Sequence, residues 1–494
     1  MTMRSAIKYR LAAGTVLAGV AFVGLCWSVG LDPLTGRMTL SDIVVATPDA
    51  TIHIGRVSFY SGYALTTPAH AAENVSFKDL SVDAGGLTYT APSLDIAGSS
   101  LTQRDFAAVQ ARTGQPFAAR LATFAAASVV APQVTVERVV NGQKQTIVLR
   151  NFAIRNVAAG KAATVTAESG TLKGPPPTDV AFGPVNGRTL DLALLAKLAS
   201  EKPAPEPQPK PLFASFTMDK ATFKTPQGTA ITIGRLSSTN AKAQPGDQPQ
   251  HLLTYLGQLT ASDSIIDLVR AGAPNQRWTL KELSVLADDP REGIPTKYRI
   301  TLDGLSVPTS TSDPQTKNLA DLGIAALTIS AKADGEWMPQ ASEFNVRQFN
   351  LDVDNVGAIT LRGNLGKVTK ETFVADNSGA RFKEATLKTA SVVIENKGLY
   401  ERIVMREAKK RNKSLEDMRK ELAAANMLAT INMMDSQPDT NVVKTAVLRF
   451  VSKPGKLSVS IKSKSPAGVP LNELGSQASA AASASKFEVV ATAE

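Results

Sequence analysis

Apolar and polar residues alternate at period two through most of this chain, the spacing of half-buried β-strands. Val75 to Val82 places Val75, Phe77, Leu80 and Val82 on one face, with one slip in phase. Ala84-Gly85-Gly86 then predicts a turn, and Leu87-Thr88-Tyr89-Thr90 resumes the alternation. Val134 to Val140 and Gln145 to Ile154 flank Asn141-Gly142, a strong short-range hairpin signal. Further along, Tyr298 to Val307 alternates around Asp303-Gly304. Ile324 to Ala333 is predicted to end at Asp334-Gly335, with Phe344 to Val353, Val356 to Leu361 and Ala385 to Ile394 following as strands. A short phrase recurs: Phe77-Lys78-Asp79-Leu80-Ser81-Val82, Leu149-Arg150-Asn151-Phe152-Ala153-Ile154, Leu280-Lys281-Glu282-Leu283-Ser284-Val285 and Val346-Arg347-Gln348-Phe349-Asn350-Leu351. Its spacing is irregular, which excludes a fixed-period solenoid. It reads either as a repeated strand unit in a long sheet or as the pattern of any half-buried strand.

Helical spacing interrupts the strands. Thr102 to about Arg112, Pro116 to Ala126, Leu190 to Leu198 and Pro249 to Asp267 are predicted helices, the last from Leu252, Leu253, Leu256 and Leu259. The clearest helical block lies further on. Gly398 to Arg411 puts Leu399, Ile403, Val404 and Ala408 on one face. Ser414, with Asp417 three residues on, opens a second helix. Thr440 is placed to cap a third through Phe450, before Pro454-Gly455 and a strand at Leu457 to Ile461.

The fold class expected is therefore mainly β with helical insertions (α+β): an N-terminal transmembrane helix, a long antiparallel sheet and a helical block near the C-terminus. The predicted organisation is a tip (1–10), an anchor (11–30) and a first β-rich region (31–200). A Pro-rich linker (201–212), a second β-rich region (213–397), a helical block (398–465) and a flexible tail (466–494) follow. The anchor rests on Leu11 to Gly30, which carry no charge and would span about 30 Å as a helix. Arg4, Lys8 and Arg10 precede that run, so the positive-inside rule keeps the N-terminus cytoplasmic and exports the body. A cleaved signal is the rival reading, yet no A-x-A site follows, and Leu25 before Cys26 does not fit a lipoprotein signal.

Composition narrows the chemistry. Hydrophobic content of 43% with 20% charged residues suits a folded body, and the 5% of aromatics leaves Val, Ile, Leu and Ala to build it. The one cysteine, Cys26, falls in the apolar run, so the body has no disulfide or cysteine metal site. The net charge of +10 is interspersed, and without a stacking or zinc-finger motif it predicts a solvated surface and no nucleic acid. His53, His70 and His251 are scattered. No G-x-S-x-G motif nominates a serine nucleophile, and Gly85-Gly86 is not followed by G-K-[ST]. Asp288-Asp289 with Glu292 is a candidate Ca²⁺ cluster that lacks the EF-hand pattern and reads more simply as a solvated loop. Lys409-Lys410-Arg411-Asn412-Lys413 reads as an exposed link between helices, with acidic headgroups or a partner as the alternative. No catalytic, cofactor or metal residue is nominated, and no cofactor is expected.

The strand phrase around Val75 to Ile96 (NVSFKDLSVDAGGLTYTAPSLDI) and the block Ile394 to Ile461, behind a basic tip and anchor, resemble inner-membrane-anchored periplasmic proteins of the AsmA-like kind. That resemblance implies a bacterial inner-membrane location, a periplasmic body and a part in envelope assembly, with grooves that shield lipid chains. The expected function is non-enzymatic, with the inner membrane, lipid and an envelope protein as partners. An anchored scaffold binding a protein through Gly398 to Phe450 is the alternative, and an exported hydrolase a third.

Overall fold

The computed structural model describes residues 37–46, 50–60, 73–84, 86–100, 119, 121–140, 142–174, 179–199, 208–244, 257–269, 275–291, 294–374, 382, 384–434, 441–474 and 485–494. The expected tip and anchor lie outside them. Among the described residues no helix is long and apolar enough to cross a membrane. The chain divides into two compact units, Met1–Ser264 and Ile265–Glu494.

The first unit is an antiparallel meander. β1 (Arg37–Ala46), β2 (Ala50–Tyr60), β3 (Glu73–Ala84), β4 (Leu87–Ser99), β5 (Ala126–Val140) and β6 (Gln143–Ala158) pair in chain order. β6 then pairs with β7 (Lys161–Ala167) along one half and β8 (Ser169–Lys173) along the other. β9 (Val180–Phe182) and β10 (Val185–Asp191) likewise share the next position, and β11 (Lys210–Lys224) and β12 (Ala230–Ala243) follow. β13 (Gln258–Leu268) crosses the boundary between the units.

The slip in the alternation has a structural cause. Along β3 the buried residues are Val75 and Phe77, then Leu80 and Val82, so one step is three residues long. The same step occurs at Ile54 to Val57 on β2, Ala91 to Leu94 on β4, Ala131 to Val134 on β5 and Leu149 to Phe152 on β6. Registers bring these steps to one level. Asp42 falls opposite Gly55, Gly55 opposite Asp79, and Asp79 opposite Pro92. Pro132 falls opposite Asn151, and Asn151 opposite Glu168, which separates β7 from β8. At this level Asp42, Asp79 and Asn151 adopt φ of +57°, +49° and +49°, a region open mainly to Gly, Asn and Asp. A Cβ on Gly55 would lie 2.9 Å from Asp79 Cβ, so only glycine fits there without displacement. A crease therefore runs across β1–β8, and the copies of the recurring phrase at Phe77 and Leu149 mark where β3 and β6 cross it. Bulge-like kinks of this kind bend a sheet and increase its twist.

Over β1–β10 the apolar face of this unit is closed. Val57, Val82, Leu94, Val129, Ala131, Val134 and Val136 are 0% exposed and belong to one cluster running from Ile43 to Leu195. α1 (Leu192–Ala199) adds Leu192, Leu194 and Leu195, and Asp191 caps it by accepting the Leu194 N–H at 2.8 Å. From β11 onward the apolar side chains, such as Phe216, Met218, Ile231 and Ile233, are only half-buried.

In the second unit β14 (Gln276–Arg291), β15 (Ile294–Pro308), β16 (Ala326–Met338), β17 (Glu343–Val353), β18 (Gly357–Gly366) and β19 (Thr386–Asn396) pair in sequence. β19 pairs with β20 (Lys456–Ser463) and β21 (Val469–Pro470), and β20 with β22 (Phe487–Ala493). Between β19 and β20 stand α2 (Leu399–Arg411), α3 (Leu415–Met434) and α4 (Asn441–Ser452). The predicted capping at Ser414 is present: its Oγ accepts the Asp417 N–H at 3.1 Å. Glu416–Lys420 at 2.7 Å and Glu407–Arg411 at 3.7 Å are i,i+4 ion pairs along α3 and α2.

Several expectations are corrected. The tract 201–212 does not divide the chain, because β10 before it pairs directly with β11, which begins inside it at Lys210, as at Val185 and Met218. The unit boundary falls at Ser264 instead, so the regions 31–200 and 213–397 are not the structural units. Proline stiffens a connection without preventing its flanks from pairing. The predicted helix Pro249 to Asp267 is a strand from Gln258, where β-branched Thr260, Ile265 and Ile266 favour extension. Its Leu252, Leu253 and Leu256 lie outside the described residues. Pro116 to Ala126 is not helical to its end: Leu121 and Phe124 are buried in the core, and Ala126 opens β5. Thr102 to Arg112 also lies outside the described residues. Asp334-Gly335 does not end a strand; β16 continues through a register shift there, to Met338. The alternation expected around Asp303-Gly304 does run on within β15, which carries a bulge there with Gly304 at φ +63°. The expected tail 466–494 contains β21 and closes on β22, which pairs with β20 from Phe487 to Ala493.

Candidate functional site

The second unit turns two chemically different faces outward. Directly opposed residues of antiparallel neighbours share a face. One row runs Leu283, Leu302, Ala331, Leu351, Ile359, Ile394 across β14 to β19. The next runs Val285, Ile300, Ala333, Phe349, Leu361, Val392. A third links Trp337, Phe344, Leu365 and Leu387. The reverse face carries Thr301, Lys332, Asn350 and Thr360, with cross-strand ion pairs such as Arg299–Asp334 at 2.9 Å and Lys281–Asp303 at 2.7 Å.

Unlike the sealed core of the first unit, the first two of these apolar rows stay half-buried; Ile300 is 47% exposed and Ile359 38%. Two structures partly cover them. A helical turn at Lys370–Val374 lays Phe373 against Tyr298, Trp337 and Phe344, with ring centroids 6.3, 5.1 and 6.3 Å away. Trp337 Nε1 donates to the Val368 carbonyl at 2.9 Å and ties this plug to the sheet. At the other side α4 packs Ala446, Val447 and Phe450 on Leu457, Val459 and Ala493.

Between the sheet and the helices lies a pocket of about 430 Å³. Leu351, Val353, Ile359 and Ile394 form its floor. Leu399, Tyr400 and Ile403 of α2, Asn426 of α3 and Phe450 and Val451 of α4 form its walls. The size lies within the roughly 300–1,000 Å³ usual for ligand sites. Its main polar groups are engaged by their own surroundings. Asn396 Oδ1 accepts the Tyr400 N–H at 3.2 Å, and Asn396 Nδ2 donates to Glu401 at 2.9 Å. The Tyr400 hydroxyl donates to the Arg419 carbonyl at 3.4 Å, and burial pushes its phenol pKa up, so it stays neutral at physiological pH. This wall offers apolar contact with few free polar groups.

The residues singled out from the sequence do not gather here. His53 is exposed on β2, while His70, His251 and Glu292 lie outside the described residues. Asp289 pairs with Lys297 at 3.5 Å, and Asp288 accepts the Asp289 N–H at 2.7 Å. Among the described residues no group of three His, Cys, Asp or Glu side chains is arranged to hold a metal. The basic run joins α2 to α3: Asn412 caps α2 in the left-handed region, and Arg411 and Lys413 both pair with Glu421 at 2.5 Å. The pocket itself was not foreseen. Its floor lies in strands predicted from alternation, but alternation does not tell which apolar face stays uncovered.

A family described as "Uncharacterized protein" matches residues 350–494, a span that contains every residue lining this pocket. No curated protein matches the chain.

Proposed function

We propose that this chain binds the acyl chains of lipid on the apolar face of its second unit, without catalysing a reaction on them. The observation that carries this reading is the set of half-buried apolar rows leading into the 430 Å³ pocket. Apolar area left in water costs about 25 cal/mol per Å², and contiguous patches of this kind mark binding surfaces. The large antiparallel sheet is compatible with the AsmA-like resemblance, and the apolar run Leu11 to Gly30 supports tethering at a bacterial inner membrane with the body in the periplasm. Envelope assembly is the process this placement would serve. The test is titration of the purified full chain with a fluorescent long-chain fatty acid. Saturable binding that Ile359→Asp and Ile300→Asp each weaken on the order of tenfold or more supports the reading. Binding unchanged by both substitutions would overturn it.

A second reading, an anchored adaptor, rests on a different observation. Met405, Leu415, Leu428 and Val442 project from the helices at 50%, 51%, 62% and 53% exposure. A protein partner lost on Met405→Lys with Leu428→Lys, while fatty-acid binding persists, would favour it.

A further inference from the structure

The C-terminal strand carries a second surface, independent of the pocket. Among the described residues β22 pairs with β20 alone, which leaves its other edge open. Glu494 exchanges both backbone hydrogen bonds with Lys456, at 2.9 and 3.1 Å, and Lys464 N donates to the Lys486 carbonyl at 2.9 Å. In an antiparallel ladder the bonding direction alternates from residue to residue. Even-numbered residues of β22 therefore face β20, and Phe487, Val489, Ala491 and Ala493 aim their N–H and C=O groups outward. Natural edges are usually blunted by proline, bulges or inward charges. Phe487-Glu488-Val489-Val490-Ala491-Thr492-Ala493 has no proline, glycine or register shift. At its centre Val490 is 63% exposed on the face whose neighbour on β20 is Ser460.

We propose that this edge pairs with the same edge of a second copy of the chain, antiparallel about a two-fold axis through Val490. This register uses all the outward groups, with Phe487 opposite Ala493 and Val489 opposite Ala491 of the other copy. It sets the two Val490 side chains against each other, removing the exposed apolar spot. It also places Lys486, whose ammonium pairs with Glu473 of its own chain, opposite Glu494 of the other copy, so no like charges meet at either end of the ladder. Moving the two-fold axis by one residue, to Ala491, shifts one strand on the other by two residues and sets Glu488 against Glu494, a like-charge pair. Isologous pairing of this kind is the commonest basis of homodimers.

The pairing leaves a chemical signature. Val490 faces itself in a non-hydrogen-bonded pair, where Cα atoms stand about 4.5 Å apart, within the roughly 4.4–6.8 Å of disulfides. The experiment uses the full chain with Cys26→Ser, carrying Val490→Cys, Glu488→Cys or Thr492→Cys in turn. Under mild oxidation Val490→Cys is expected to form a covalent dimer on the order of tenfold more than the other two. Val489→Pro removes one outward N–H and no bond to β20. It is expected to convert a dimer to a monomer by light scattering while the melting temperature stays near that of the parent. A monomeric parent, or cross-linking through Glu488→Cys or Thr492→Cys as strong as through Val490→Cys, would overturn the proposal. The same holds if residues 475–484 of the same chain occupy the edge, because Val490→Cys then stays uncross-linked.

Discussion

Asp79 and Asn151 stand in the middle of strands with φ near +49°, where a β-branched side chain would clash with its own backbone. Replacing Asp79 by Val is expected to cost about 1–2 kcal/mol, while Asp79→Gly is expected to be near neutral. Urea unfolding of the two variants checks both. In the second unit Phe373 packs against four aromatic rings, Tyr298, Trp337, Phe344 and Phe382. Because its ring is only half-buried, Phe373→Ala is expected to cost about 2 kcal/mol, below the roughly 3–5 of a fully buried ring. Charge adds a pH dependence. Hydrogen bonds from Lys388 and Asn364 hold the Glu343 carboxyl below its ordinary range, and Lys281 does the same for Asp303. A lowered folded-state pKa means the stabilisation is complete above the unfolded value, about 4, and is lost as pH falls through the folded one. Melting temperature is therefore expected to be flat near neutrality and to fall in acid, with a shallower acid limb in Glu343→Gln.

At the scale of elements, the helices follow local rules that act in isolation. Ser414 and its Asp417 partner define the start of α3, and Ser414→Ala is expected to cost about 1 kcal/mol, measurable by thermal melting. Those signals were legible in the sequence, as were the strand alternation and the Asn141-Gly142 hairpin, which joins Val140 to Gln143. The crease was half legible. The phrase at Phe77 and Leu149 displayed the three-residue step, but nothing local showed that neighbouring strands place it at one level. That alignment is a property of register, set by strands that are far apart in sequence. Asp334-Gly335 misled for a related reason. An Asp-Gly pair suits a turn between strands, yet a long strand can carry the same pair across a register shift, as Asp303-Gly304 does within β15. The floor of the pocket, Leu351, Ile359 and Ile394, reads as ordinary strand interior, since exposure depends on what lies above the sheet.

At the scale of the chain, two units built from one kind of strand treat their apolar faces differently. The first seals the face of β1–β10 to 0–7% exposure within one cluster and leaves β11 and β12 half-buried. The second leaves its rows half open beneath a small aromatic plug and one flank of helices. Sealing serves stability, whereas an open apolar face supports a role for apolar ligands. The account therefore centres on an occupant for that face. Native mass spectrometry of the full chain, purified in gentle detergent and followed by solvent extraction, tests this most directly. The account predicts co-purifying lipid in near-stoichiometric amount, strongly reduced in Ile359→Asp with Ile300→Asp. A folded parent protein that yields no lipid, or a double variant that retains as much as the parent, would contradict it.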